Sequence, residues 1–282
     1  MQPAQRSEVI IAVVGGSSAR DFKTSYKETG AAIADEKTIS DMECGEGFDR
    51  ATLSLLGKQQ EQELLKALKA TGKPLIVVYI EGRPLDKNWA SENADAVLTA
   101  YYPGQEGGIA IADVLFGDFN PAGRLPFSVP RSVGQIPLYY NKKAPQSHDY
   151  VEMSASPLYP FGYGLSYTSF DYSDLHLSAL MPRSFEISFK VRNTGKYDGE
   201  EVAQLYLRDE YASVVQPLKQ LKHFARFYLK RGEEREVKFI LSEEDFSLVD
   251  RNLKKIVEPG TFQIMIGAAS NDIRLQTKVE IK

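Results

Sequence analysis

The strongest constraint on what this chain can fold into is a change of hydrophobic period near Phe170. Before it, short apolar runs alternate with helical patterns. "EVIIAVVGG" and "KPLIVVYIEG" are continuous apolar runs ending in glycine, the pattern of strands covered on both faces in a parallel sheet. Between them, "KQQEQELLKALKATG" carries Leu64, Leu65 and Leu68 at helical spacing and stops at Gly72, a good helix C-cap. "WASENADAVLTAYY" reads as a short helix running into a third strand, and residues 106–116 as a further helix stopped by Gly117 and the "NPAG" turn. This β-α-β-α succession predicts an open α/β layer with its ligands at the carboxyl ends of the strands.

Beyond Phe170 the helical period is gone and apolar residues alternate with polar ones. "SFEISFKVRNTGKYDGEEVAQLYLRD" holds two alternating runs split by "NTGKYDG", and "RFYLKRGEEREVKFIL" repeats the form around "KRGEE"; both read as hairpins. "GTFQIMIGAAS" and "IRLQTKVEIK" add two more strands. Such a series of short strands predicts an antiparallel β-sandwich. The expected fold class is therefore α/β followed by all-β. The expected organisation is an open α/β domain with a mostly parallel sheet over residues 1–135, a Pro-, Gly- and Tyr-rich connector over 136–168, and a β-sandwich over 169–282. The connector's many aromatics predict that it lies over both domains rather than hanging free in water.

A chain of 282 residues suits two such cores. Its 34 Lys and Arg against 38 Asp and Glu give a formal charge of -4, and no segment gathers the basic residues into a stripe, which argues against nucleic acid. The apolar runs fall far short of the ~20 residues that cross a bilayer, so no membrane span is expected. "MQPAQRSEV" lacks the apolar stretch and cleavage site of an export signal. A lone cysteine, Cys44, rules out an internal disulfide. With the scattered His148, His176 and His223 it gives no metal-ligand spacing, so no metal or other cofactor is expected. No G-x-S-x-G occurs, which removes a Ser-His-Asp hydrolase reading.

Four separated segments, in order, resemble the C-terminal half of glycoside hydrolase family 3, which includes β-glucosidases and β-xylosidases. They are "GKPLIVVYIEGRPL", "ADAVLTAYYPGQEGGIAIADVLFGDFNPAGRLPFSVPRSVGQIPLYYN", "YPFGYGLSYTSFDYSDL" and "VRNTGKYDGEEVAQLYLRD". The resemblance covers nearly the whole chain and implies an α/β sandwich domain followed by an immunoglobulin-like, fibronectin type III-like domain. It further implies a preceding (β/α)8 barrel carrying an aspartate nucleophile. Against that plan the chain is expected to lack the barrel and the first β-α unit of the α/β domain, and so to be a piece of a larger enzyme. The implied activity is retaining, exo-acting hydrolysis of terminal β-linked glucose or xylose from an oligosaccharide or glycoside, with the barrel as partner and a periplasmic or secreted parent. Alone, the chain is expected to be inactive; the competing expectation is a non-catalytic carbohydrate-binding or structural module.

Retaining hydrolysis needs two carboxyl groups about 5 Å apart, one attacking the anomeric carbon and one protonating the leaving oxygen. Read by themselves, the carboxylates of "DMECGEGFDR" are either a catalytic loop or an acidic lead-in to the helix that follows. The resemblance matches Glu46 to the acid/base glutamate, with Glu43 and Glu28 as alternatives. Gly45 and Gly47 would let the loop project, and Asp49 and Arg50 would anchor it. "GGSSARDF", after the first strand, is either a sugar-facing loop with Arg20 and Asp21 as hydroxyl partners or an ordinary turn. Glu106 is expected to cap a helix and Trp89 to serve packing. His148 is expected in a solvated loop, and His176 and His223 at the surface.

Overall fold

The structure, a computed structural model, describes residues 2–16, 28–29, 51–55, 61–143 and 148–282. These fall into two compact units. One holds the described residues up to Leu115 together with Pro130–Ile136; the other holds Phe116–Val129 and Pro137–Lys282.

Among the described residues the first unit holds a three-stranded parallel sheet. It runs in the order β1 (Ile10–Gly15), β2 (Leu75–Ile80), β3 (Ala96–Thr99), with Ile10 opposite Leu75 and Ile76 opposite Ala96. After the short α1 (Gln2–Arg6), α2 (Glu61–Lys69) leads into β2, and α3 (Asn88–Asn93) crosses to β3. In α2, Leu65 is buried and Leu68 packs beside it, whereas Leu64, read from its spacing as part of the same face, is exposed. The chain then turns through Gly72, whose φ of +75° is open to glycine at little strain. Ile10, Ala12, Val14, Leu55, Leu65, Leu75, Val77, Tyr79, Leu85 and Ala90 form one apolar core. The final helix α4 (Gly107–Phe116) starts where the backbone carbonyl of Glu106 accepts from Ala110 N–H at 3.1 Å. A side chain at Gly107 would run into the ring of Pro103, so glycine is required at that start.

The second unit is a sandwich of two antiparallel sheets. One sheet has the order β4 (Phe170–Met181), β5 (Ser184–Asn193), β8 (Glu234–Leu241). The other has the order β12 (Asp272–Ile281), β11 (Gly260–Ala269), β6 (Gly199–Asp209), β7 (Gln220–Leu229). A two-residue pair, β9 (Leu248–Val249) with β10 (Lys255–Ile256), stands apart. Alternate residues of the facing sheets interdigitate: Ile187, Phe189 and Val191 of β5 and Val237, Phe239 and Leu241 of β8 meet Ala203, Leu205 and Leu207 of β6 and Phe262, Ile264 and Ile266 of β11.

Two expected hairpins are corrected. β5 and β6, and likewise β7 and β8, lie in different sheets, so "NTGKYDG" and "KRGEE" are arches from one sheet to the other. The buried amide of Asn193 explains the geometry. Its Nδ2 donates to Tyr197 O at 2.8 Å and Leu229 O at 3.1 Å, and its Oδ1 accepts from Thr168 Oγ1 at 2.7 Å. Its backbone exchanges hydrogen bonds with Glu233 and Gly232 at 2.9 Å each. One residue, through its side chain and its backbone, thus pins both arches, which a hairpin would hold by ladder bonds instead. By contrast β4–β5 and β11–β12 are true antiparallel neighbours.

Residues 116–129 and 158–168 are stitched onto the sandwich. Asn120 donates to Asp198 O at 2.9 Å and accepts from Tyr167 N–H at 2.8 Å and Ser166 Oγ at 2.9 Å. The ring of Tyr140 stacks on Phe161 at 4.0 Å, and its hydroxyl accepts from Leu221 N–H at 3.1 Å. Arg124 reaches a buried carboxylate, Glu201, at 3.0 Å, and Tyr172 donates to the other oxygen at 2.9 Å. Burial, then the adjacent Glu201, pushes the Tyr172 phenol well above its ordinary value.

Candidate active site

The carboxyl edge of the parallel sheet is where the chemistry of an open α/β layer collects. Three features build it. Strand β1 ends at Gly15, whose φ is +149°; a Cβ there would overlap the carbonyl oxygen of Ile80, so β1 and β2 meet there only through glycine. The next residue keeps the contact, Gly16 N–H donating to Ile80 O at 3.2 Å. Gly15 N–H turns to Glu61 Oε2, at 3.1 Å, on the first residue of α2.

The second feature is an ion pair removed from water. Glu81, the residue after β2, and Lys87 are 1% and 2% exposed, and Nζ lies 2.6 Å and 2.7 Å from the two carboxylate oxygens. The same carboxylate accepts from Leu85 N–H at 2.9 Å and from Thr99 Oγ1, at the end of β3, at 3.3 Å. Lys87 also sits 4.3 Å above the Tyr79 ring and donates to Leu85 O at 3.3 Å. Burial pulls the ammonium below its ordinary pKa, opposed by the Glu81 carboxylate and its hydrogen bonds.

The third feature is the turn after β3. Tyr101 has a φ of +52°, uncommon for a residue with a side chain, and Tyr101 O accepts from Glu81 N–H at 3.2 Å. Tyr102 lies over Gly82 so closely that a Cβ on that glycine would meet its ring. Burial, and secondarily Glu81, raises the Tyr101 phenol.

The expected site residues divide plainly. Arg20, Asp21, Glu43, Glu46, Asp49 and Arg50 lie outside the described residues. Glu28 lies in an exposed turn. Residues 51–55 lie against the sheet: Leu55 is buried in its core, and Asp86 N–H donates to Leu53 O at 2.7 Å. Trp89 packs against the same core. His176 is exposed on β4, whereas His223 is a correction: it is half-buried, its ring stacked on Phe239 at 5.9 Å, because β7 turns it toward the 3-10 turn Glu243–Phe246, with Nε2 3.6 Å from Asp245. Glu81 and Lys87 carry no catalytic motif or periodic signal in the sequence, and their buried charge emerges only in the fold.

These two units define a class: an open α/β domain with a glycine-built carboxyl edge, followed by a seven-stranded immunoglobulin-like sandwich. Residues 1–167 match the glycosyl hydrolase family 3 C-terminal domain, and residues 201–270 match a fibronectin type III-like domain. The chain belongs to glycosyl hydrolase family 3. It is 46% identical to a β-xylosidase of Formosa agariphila over 83% of its own length and 33% of that protein's. It is 40% identical to a periplasmic β-glucosidase of Salmonella typhimurium over 97% of its length and 34% of that protein's. The solved structure of a β-glucosidase from Erythrobacter marinus superposes with a TM-score of 0.85 at 39% identity, covering 100% of this chain and 35% of that one. The chain thus spans about a third of the curated relatives it matches.

Proposed function

We propose that this chain is the C-terminal part of a retaining, exo-acting β-glycosidase of the β-glucosidase or β-xylosidase type, and that it contributes the general acid/base, Glu46. The observation that carries this reading is the match to the Salmonella β-glucosidase over 97% of this chain. A barrel N-terminal to it supplies the attacking aspartate. Glu46 protonates the glycosidic oxygen as the bond to the anomeric carbon breaks, then takes a proton from the water that releases the sugar. Arg20 and Asp21 hold sugar hydroxyls, and Asp49 and Arg50 anchor the loop. The parent acts in the periplasm or outside the cell, in keeping with the name of the Salmonella relative.

One carboxylic acid without a nucleophile cannot run the two-step covalent route, so the isolated chain has no turnover of its own. The test joins this chain to the barrel-bearing part of the Salmonella enzyme in place of that enzyme's own last third. Hydrolysis of an aryl β-glucoside or β-xyloside by the chimera, and none by the chain alone, is expected. A well-folded but silent chimera would leave the chain as a non-catalytic module.

A further inference from the structure

We infer that the outer face of the β-sandwich is a carbohydrate-binding surface: the row Phe224, Arg226 and Tyr228 along β7 takes an uncharged, β-linked glucan or xylan chain. The inference rests on residues of the sandwich alone and not on the reading of Glu46.

Strand β7 is the last of its sheet, and its residues alternate between two faces. Ala225, Phe227 and Leu229 point into the core. Phe224, Arg226 and Tyr228 therefore point outward, opposite Gln204, Val202 and Glu200 of β6. Phe224 is 66% exposed, Tyr228 51% and the Arg226 side chain 52%. At ~3.4 Å per residue the row is about 14 Å long. Its side chains are held in place. Arg226 grips the Glu200 carboxylate through Nε, at 3.0 Å, and through Nη2. Tyr228 Oη donates to Asp198 Oδ2 at 2.7 Å, Arg231 N–H holds the other oxygen at 2.8 Å, and Asn120 Nδ2 fixes the Asp198 carbonyl at 2.9 Å.

Two aromatic rings left in water on one sheet face are an exposure that folding does not call for. The charges between them narrow what covers them. Arg226 and Glu200 cancel each other, and Asp198 is satisfied by a phenol and an amide, so this row offers no unpaired ion to a charged peptide, a phosphate or a nucleic acid. A protein interface keeps charges away from its apolar centre; here an ion pair stands between the rings. The combination fits a neutral polyhydroxyl ligand, whose C–H faces stack on the rings while its hydroxyls reach the carboxylate oxygens and the three N–H groups that Arg226 has left. In β-linked glucose and xylose every ring substituent is equatorial, so both faces are lined by C–H bonds. The axial hydroxyl of mannose or galactose breaks one of those faces. Rings four residues apart on a strand call for a chain of sugars rather than a single one.

The test uses the 282-residue chain itself. In native affinity gels, soluble mixed-linkage β-glucan or arabinoxylan should retard it, and galactomannan, with its mannose backbone, should not. Phe224→Thr and Tyr228→Thr, which keep the strand preference, should each weaken retention by roughly tenfold with the thermal midpoint near that of the parent. Tyr228→Phe, which keeps the ring, should lose far less. If neither threonine variant folds, titration of the unmodified chain with cellohexaose, followed through its amide resonances, decides instead: shifts centred on β6 and β7 support the surface, and shifts elsewhere reject it. No retention by either polysaccharide, retention unchanged in both threonine variants, or equal retention by galactomannan overturns the inference. So does self-association in sedimentation that the threonine variants abolish while no polysaccharide is bound, which would make this face a contact between copies. Because binding is read without turnover, a negative result leaves the reading of Glu46 standing.

Discussion

The α-carbon of Gly15 faces the carbonyl of Ile80 with no room for a side chain between them, at the point where β1 and β2 reach the carboxyl edge of the sheet. The first prediction follows directly. Gly15→Ala must force the strands apart and hold a non-glycine residue at positive φ. A loss of about 3 kcal/mol or more is expected in urea denaturation. Gly72→Ala, also at positive φ but with open space around it, should cost only about 1 kcal/mol. Equal losses would show that the close approach is not what demands glycine.

Removing one partner of the buried pair strands the other. Lys87→Met alone leaves the Glu81 carboxylate out of water with a Leu85 amide and a hydroxyl for company. A cost of about 3–5 kcal/mol is expected, and Glu81→Leu added to it should restore most of that. A double variant no better than the single would mean the site cannot accept apolar side chains.

The sandwich carries its own buried charge. Glu201 is 2% exposed and shared by Arg124 and Tyr172. Arg124→Met should destabilise by about 3–5 kcal/mol, whereas Tyr172→Phe should cost about 1.5–3 kcal/mol, one hydrogen bond to a charged group. The order of the two losses checks which partner neutralises Glu201.

The Asp95 carboxyl is held below its ordinary value, first by the Leu75 amide at 2.8 Å and then by Lys69 at 2.9 Å. A depressed carboxylate adds stability that is complete above the unfolded pKa and lost as pH falls through the lower folded one. Asp95→Asn should therefore be less stable than the parent at neutral pH. The two curves should converge in acid, once Asp95 itself is protonated; a gap that persists there would assign the effect to something other than charge.

Much of this fold was legible because burial has a period. Leu65 and Leu68 of α2, the turn at Gly72 and the strands β1 and β2 are local and follow from neighbours in sequence, although Ile11 and Val13 leave one face of β1 exposed where cover on both faces was expected. Strand pairing in the sandwich was not. "NTGKYDG" and "KRGEE" contain the same turn-forming residues whether they close a hairpin or arch between sheets, and the choice rests on Asn193 reaching Leu229 across the fold. Glu201 could have been found, since it falls in phase with Ala203, Leu205 and Leu207 on the inward face of β6, where a charge needs a partner. Glu81 and Lys87 offered no such phase: they sit in a loop, and their burial depends on the strand ends around them. The assignment of Glu46 as acid/base rests on resemblance alone, because an acidic stretch before a helical pattern has the same composition whether it catalyses or caps.

The most direct test of the central claim is the leaving-group dependence of Glu46→Gln in the chimera with the Salmonella barrel. Loss of the proton donor should lower kcat/KM on an alkyl β-glucoside by about 10²–10⁴-fold, with far less effect on a dinitrophenyl glucoside, whose leaving group needs no proton, in the bond-breaking step. Equal rates for parent and variant on the alkyl glucoside would contradict the assignment and return the motif to the role of a helix-leading turn.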